Sequence, residues 1–344
     1  MEEYIILVIL IFLLGFFFLK KRKKTMLFLI STVLVFFAGF RYNVGVDYPN
    51  YVKIFDGVRY YDTREIGFKY FVDFLHYLGV SSQMMFLLLA IVMQILVYKI
   101  ILYYSSNYWF SIVIFLLIPP FYLETFNGIR QSIATGFFLY SLQFIEQKKL
   151  KHYFISNIIC AFFFHESILF VMFLFPIINK NFSIKNKIFI LLGVFVFNLF
   201  LDLLISYTPY ANYLEIDKKV EISSFTYILF FSIALMVLFE KKLPDFKHRR
   251  ILLNLNYFSL LTLFLVLIQS KDVLIQMFMR FNNYFFFGFI ILIPNLVMAI
   301  KNHQTRLVSY IFIIGFSLYY FFITLINSGK HYNLTPYLFN FKLF

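Results

Sequence analysis

The sequence predicts an all-α, polytopic membrane protein with about 10–12 transmembrane helices, and three observations carry that expectation. Apolar residues make up 62% of the 344-residue chain, with 52 phenylalanines, while charged residues supply only 14%. The mean hydropathy of +0.81 lies well above that of an ordinary soluble domain. The basic residues gather in short runs between apolar stretches, at Lys20–Lys24, Lys148–Lys151, Lys180–Lys187, Lys241–Arg250 and Lys301–Arg306. Punctuation of this kind orients a multi-pass protein, with the basic runs on the cytoplasmic side.

The same distribution accounts for the net charge of +14 without a polyanionic partner, so nucleic-acid binding is not expected. Cys160 is the only cysteine, which argues against an intrachain disulfide and a thiolate metal site. One integral membrane domain over 1–344 is expected, without a soluble domain or a clear internal repeat.

The first apolar run, Tyr4–Leu19, is followed rather than preceded by positive charge, so it reads as an anchor and not as a cleavable signal. Further spans are expected at Thr25–Phe40, Met84–Tyr104, Tyr108–Tyr122, Gly128–Ile145, Ile188–Ser206, Ser223–Phe239, Ile251–Gln269, Asn282–Ile300 and Leu307–Ile326. Between Thr25–Phe40 and Met84–Tyr104, 41–79 reads as an extracytoplasmic loop plus an interfacial helix. In that helix Phe68, Phe71, Val72, Leu75 and Leu78 form an apolar stripe at helical spacing. A second outer loop, Tyr207–Ile222, carries Glu215, Asp217, Lys218, Lys219 and Glu221.

Tyr153–Ile178 admits two readings. As one tilted helix it places the lysines at 180–187 on the opposite face from those at 148–151. As a broken or re-entrant pair turning at His165-Glu166-Ser167 it keeps every basic loop inside, and this reading is expected. Non-helical backbone at membrane depth is tolerated only where protein or a water-filled cavity surrounds it, so such a turn makes a natural site wall.

Polar residues stranded in an apolar chain are the candidates for chemistry. Arg41 ends the second span and Asp47 follows in the same loop; guanidinium offers a planar fork of donors for phosphate oxygens, and a loop-bracing Arg41–Asp47 salt bridge is the plainer alternative. Arg130, in Asn127-Gly128-Ile129-Arg130-Gln131, opens the fifth span, where free helix N–H groups and a full positive charge together suit an anion; Glu124 is its expected resting partner. His165 lies between apolar runs with Glu166 and Ser167 beside it. It can accept a proton near neutral pH, or simply bond a neighbouring helix. Arg280 opens the apolar run that follows it, with Tyr284 one turn on. No Walker loop, dinucleotide-binding turn, His-x-x-x-His pair or Gly-x-Ser-x-Gly elbow appears, so a reaction whose energy is stored in its substrate fits best.

Four segments, taken in order, carry a resemblance: Phe40-Arg41-Tyr42-x-x-Gly45-x-Asp47-Tyr48-x-x-Tyr51, Asn127-x-Ile129-Arg130-Gln131-x-Ile133-Ala134, Ala161-x-x-Phe164-His165-x-Ser167 and Arg280-x-x-x-Tyr284. Together they resemble the EpsG family of bacterial polysaccharide polymerases, which stands with the Wzy-type O-antigen and capsule polymerases. The resemblance implies a GT-C-like membrane glycosyltransferase, metal-independent and inverting, with no cofactor. It implies undecaprenyl-pyrophosphate-linked glycans as donor and acceptor at the outer face of the cytoplasmic membrane, surrounding membrane lipid, and a flippase and chain-length regulator as partners. Under it, Arg130, Arg280 and Arg41 clamp the pyrophosphate with Gln131, Ser167 and Tyr284 beside them. Tyr48 and Tyr51 stack on sugars, and His165, or alternatively Asp47, takes the acceptor's proton. A flippase of lipid-linked glycans and a membrane O-acyltransferase are the rival readings.

Overall fold

The computed structural model describes residues 1–18, 22–58, 65–206 and 222–344. All of its regular structure is helical, and among the described residues the only β contact is an isolated bridge between Arg41 and Phe339. The expected outer loop at Tyr207–Ile222 lies, apart from Ile222, outside the described residues, as do 59–64 of the first outer loop and Leu19, Lys20 and Lys21 of the first span and basic run.

The helices in order are α1 (Glu2–Phe18), α2 (Lys23–Gly39), α3 (Tyr48–Phe55), α4 (Ile66–Tyr77), α5 (Ser82–Tyr104), α6 (Tyr108–Leu117), α7 (Ile129–Glu146) and α8 (Leu150–Phe163). They continue as α9 (Ile168–Met172), α10 (Phe175–Ile178), α11 (Ile184–Ser206), α12 (Ser224–Leu238), α13 (Arg249–Ile268), α14 (Asp272–Phe286), α15 (Phe289–Met298) and α16 (His303–Ser328). Local chemistry sets many of these ends. Asn107, Ser223 and Asn302 accept from the third residue after them and so cap α6, α12 and α16. Pro119-Pro120 stops α6 short of the span expected to Tyr122, because proline lacks the helical N–H and restricts the residue before it.

Four helices, α5, α11, α13 and α16, are long and apolar enough to cross a membrane, or five spans if α14 and α15 count as one broken by a 43° bend. The expected 10–12 are therefore not reached among the described residues. Several runs that read as spans form single helices that are too short, α1 and α2 with 17 residues and α12 with 15, while others are cut by a proline pair or a polar turn. Tyr153–Ile178 breaks at Phe164–Ser167 as expected, but two short helices follow instead of a second half-span. The last-but-one span begins at Asp272 and not at Asn282.

The chain divides into two compact units: Met1–Phe173 with Ile293–Phe344, and Leu174–Leu292. In the second unit α13 packs against α10, α11, α12 and α14. Ser259 and Thr262 of α13 donate to the Asn282 side-chain oxygen at 2.7 and 3.0 Å, the kind of interhelical bond that holds helices together where lipid gives no hydrophobic drive. The first unit is built on α5, which packs along α2 and α7; α1 joins α2, α8 joins α7, and α16 joins α6. The expected helix at Ile66–Gly79 forms as α4 and buries Phe68, Val72 and Leu75.

The C-terminal segment after α16 folds back as a strap over the loop between α2 and α3. Its backbone pairs with that loop through Tyr42 N–H to Leu338 O (2.8 Å), Asn340 N–H to Phe40 O (2.8 Å) and Gly45 N–H to Asn333 O (2.7 Å). Tyr337 stacks on Phe37 at 4.1 Å and donates its hydroxyl to the Phe37 carbonyl. The other side of the loop meets the turn before α7, where Val46 N–H donates to the Asn127 side chain at 2.6 Å. Gly45 makes this approach possible. Its φ is +96°, and a Cβ there would lie 2.2 Å from the Phe126 carbonyl oxygen.

Gly45→Ala should accordingly cost about 2 kcal/mol or more, since strain and clash add. Gly193→Ala on open α11, where a Cβ meets nothing within 4 Å, should be neutral or slightly stabilising. Unfolding midpoints of the purified variants in detergent check both, and equal midpoints would contradict the interlock.

Candidate functional site

Arg130 is the second residue of α7, and three elements meet on its guanidinium. Nη1 donates to Glu65 Oε2 at 2.6 Å, from the residue that leads into α4. Nε donates to the Tyr51 hydroxyl of α3 at 3.3 Å. The guanidinium carbon lies 4.8 Å from the Phe68 ring centre and 5.6 Å from that of Tyr51, within cation–π range. The Arg130 and Glu65 side chains are only 18% and 7% exposed, so this is a largely desolvated pair and not a surface contact. Its ion-pair partner is Glu65 and not the expected Glu124, which lies at the α7 entry, where its backbone carbonyl accepts from Gly128 N–H at 2.9 Å.

Glu65 was not singled out in the sequence. The available signal was an acid immediately before an apolar helical stripe, in a chain with only 17 acidic residues. Gly67, two residues on, lets α4 press against α8: a Cβ there would lie 2.4 Å from the Phe162 ring and 2.7 Å from the Phe162 carbonyl oxygen. Thus the Arg130–Glu65 corner adjoins the end of α8, three residues before His165. Phe164 stacks on Phe137 of α7 at 5.9 Å, which ties the same turn to the arginine's own helix.

At that turn the Ser167 backbone N–H donates to His165 Nδ1 at 3.2 Å, with the Ser167 hydroxyl 2.9 Å from the same nitrogen. A backbone amide can only donate, so Nδ1 must present its lone pair. The proton of the neutral ring then sits on Nε2, which makes His165 a hydrogen-bond donor there. The expectation that His165 takes a proton meets this constraint: Nδ1 is already engaged, and Nε2 already carries one.

Arg41 is fully buried, with two of its nitrogens bonded to nearby carbonyls and Nη2 without a hydrogen-bond partner. Nε bonds the Val44 carbonyl at 3.1 Å and Nη1 the Ala38 carbonyl at 2.8 Å. Its guanidinium lies between the rings of Phe86 and Phe126, 4.9 and 5.0 Å from their centres. Desolvation lowers its pKa, but a guanidinium starts so high that it stays charged. The Arg41–Asp47 salt bridge allowed by the sequence is not formed. Asp47 sits half-buried at the start of α3, where its carbonyl accepts from Tyr51 N–H at 3.0 Å.

Tyr48 is packed and not open, stacked on Phe86 at 4.4 Å with its hydroxyl 3.3 Å from Gln83 Oε1. Gln83 in turn donates to the carbonyls of Gly39 (2.6 Å) and Arg41 (3.1 Å). Arg41, Tyr48 and Asn127 therefore form a brace beneath the corner that Tyr51, Glu65 and Arg130 make. Gln131 is half-buried beside Arg130. Arg280 and Tyr284 belong to the second unit. Arg280 is exposed in the middle of α14, so no helix N-terminus assists it, and Tyr284 is buried.

Removing one partner of a buried ion pair leaves the other uncompensated, which costs about 3–5 kcal/mol. Glu65→Ala and Arg130→Ala should each lower stability on this scale, while the double variant should lose clearly less than their sum. Chemical unfolding of the three proteins in detergent measures the coupling, and strictly additive losses would contradict it.

A search of curated proteins and a search of solved structures each returned no match. The model of the EpsG family matches residues 24–339, which takes in the brace, the Arg130 corner, the His165 turn and Arg280. On that match over nearly its whole length, the chain belongs to the EpsG family.

Proposed function

We propose that this protein polymerises undecaprenyl-pyrophosphate-linked oligosaccharide repeat units into a surface polysaccharide, at the outer face of the cytoplasmic membrane. Membership of the EpsG family suggests a polysaccharide polymerase-like membrane protein, and the all-helical architecture agrees with that class. In this reading it is a GT-C-like, inverting glycosyltransferase. The observation that carries the reading is the Arg130 guanidinium, largely buried at the head of α7, oriented by Tyr51 and Phe68 and held by the Glu65 carboxylate. Such a group is a preorganised anion site.

The acceptor hydroxyl oxygen forms a bond to the anomeric carbon of the donor while the bond from that carbon to the pyrophosphate oxygen breaks. The electron pair leaves with the lipid pyrophosphate. Negative charge grows there in the transition state, and a fixed guanidinium stabilises it more than the ground state. Arg130 fills this role, with Gln131 beside it. The His165 Nε2–H donates to the departing oxygens, with Ser167 fixing the tautomer. Inversion requires the proton acceptor on the face of the sugar opposite the leaving group. Glu65, which touches the clamp itself, is poorly placed for that, and Asp47 takes the proton. Arg41 and Tyr48 hold the loop that carries Asp47, and Tyr51 presents an aromatic face beside the clamp. Arg280 and Tyr284 are assigned to the pyrophosphate in the same reading, on the family motif alone.

One assay with purified protein and synthetic lipid-linked donor and acceptor tests these roles. Arg130→Lys keeps the charge but loses the planar fork, so inserted, folded protein should lose polymerisation by about a hundredfold or more. His165→Gln keeps an N–H donor and should retain much of the activity that His165→Ala loses. Equal loss in Gln and Ala would return His165 to the proton-acceptor role, and full polymer from Arg130→Ala would remove Arg130 from the mechanism.

A further inference from the structure

The second unit contains a cavity of about 260 Å³ that the polymerisation reading does not use. It lies where the segment after α10 meets the loop between α12 and α13, and Lys180, Arg249 and Arg250 bring three cations to its wall. Glu240 and Asp245 also line it and offset part of that charge. The Glu240 carboxylate is engaged by Lys187, a lysine only 3% exposed that also lies 5.3 Å from the Tyr257 ring centre. The Asp245 side chain is 99% exposed and reaches Arg249 Nε at 3.5 Å. Three cations therefore face two carboxylates on the wall, and Lys187, bonded to Glu240, neutralises one of the acids.

The wall is fixed in place. Asn254 donates to the carbonyls of Ile178 and Lys180, both at 2.8 Å, which pins the Lys180 turn beside the first turns of α13. Arg249 Nη2 donates to the Glu240 carbonyl at 2.6 Å, and the Tyr257 hydroxyl to the Lys187 carbonyl at 2.6 Å. A rigid pocket with surplus positive charge, beside the first N–H groups of a 20-residue helix, suits a phosphate group.

The surroundings say what carries that phosphate. The cavity sits at the ends of α11 and α13, two helices long enough to cross a membrane, and so at the level of lipid headgroups. Directly after Lys187, α11 turns Ile188, Phe189 and Leu192 outward, each more than half exposed. That apolar strip gives an acyl chain a path away from the cavity. We propose that this cavity binds the phosphate of an anionic phospholipid headgroup, with the lipid's acyl chains along α11.

The full-length protein, purified in phosphatidylcholine-containing detergent, provides the test. Adding phosphatidylglycerol should raise its unfolding midpoint by about 3 °C. That shift should disappear in Lys180→Gln/Arg250→Gln, while Lys301→Gln/Arg306→Gln, which removes the same charge elsewhere, should keep it. Arg249 is left intact because its bonds hold the wall together; Lys180→Gln alone, expected to weaken the shift, serves if the pair fails to fold. No shift in the wild type, or an undiminished shift in the cavity variant, would overturn the proposal. The same shift from inorganic phosphate alone would overturn the lipid assignment.

Discussion

A guanidinium taken out of water needs donors' partners, ring faces or a counter-charge around it, and the first unit answers that requirement twice. At Arg41 the answer is structural: backbone carbonyls and two phenylalanine rings, with no carboxylate among its described contacts. At Arg130 the answer is a carboxylate, Glu65, which in the proposed reaction gives way to the substrate's pyrophosphate. The difference is why the proposed function gives Arg130, and not Arg41, to the substrate. Displacing Glu65 from Arg130 trades one anion for another, whereas reaching Arg41 would require opening the loop, the strap and the turn before α7 together.

That brace explains why widely separated segments act as one. The loop after α2, the turn before α7 and the strap after α16 are more than eighty and two hundred residues apart, yet share backbone bonds and stacked rings. Gly45 is the point where bulk is forbidden. The consequence for function is positional: Asp47 and Tyr51 start from a helix whose N-terminal end is set by this interlock, and Tyr51 then orients Arg130.

Much of the fold was legible because apolar runs and their polar boundaries report helices directly. The stripe of Phe68, Val72 and Leu75 was readable as α4, and the break around His165 followed from the placement of lysines. The number of spans was not, because a run such as Tyr108–Tyr122 looks continuous in hydropathy while Pro119-Pro120 has already ended the helix. At the site, Arg130 and His165 stood out as polar residues in apolar surroundings. Glu65 did not, since its importance comes from a neighbour 65 positions away. Nor could sequence separate the two arginines, because burial by rings from α5 and the turn before α7 is a tertiary fact. The tautomer of His165 was equally hidden, as it depends on where one backbone N–H points. Arg280 shows the opposite error: an apparent start of an apolar run lies within a helix that began eight residues earlier.

The central claim is that Glu65 occupies the place at Arg130 that the substrate's pyrophosphate takes. Equilibrium binding of a non-transferable lipid-pyrophosphate analogue to purified wild type, Glu65→Gln and Arg130→Gln tests it most directly. Removing the competing charge while keeping the side chain's shape should make Glu65→Gln bind more tightly than wild type, and Arg130→Gln should bind much more weakly. Weaker binding by Glu65→Gln, or unchanged binding by Arg130→Gln, would contradict the account.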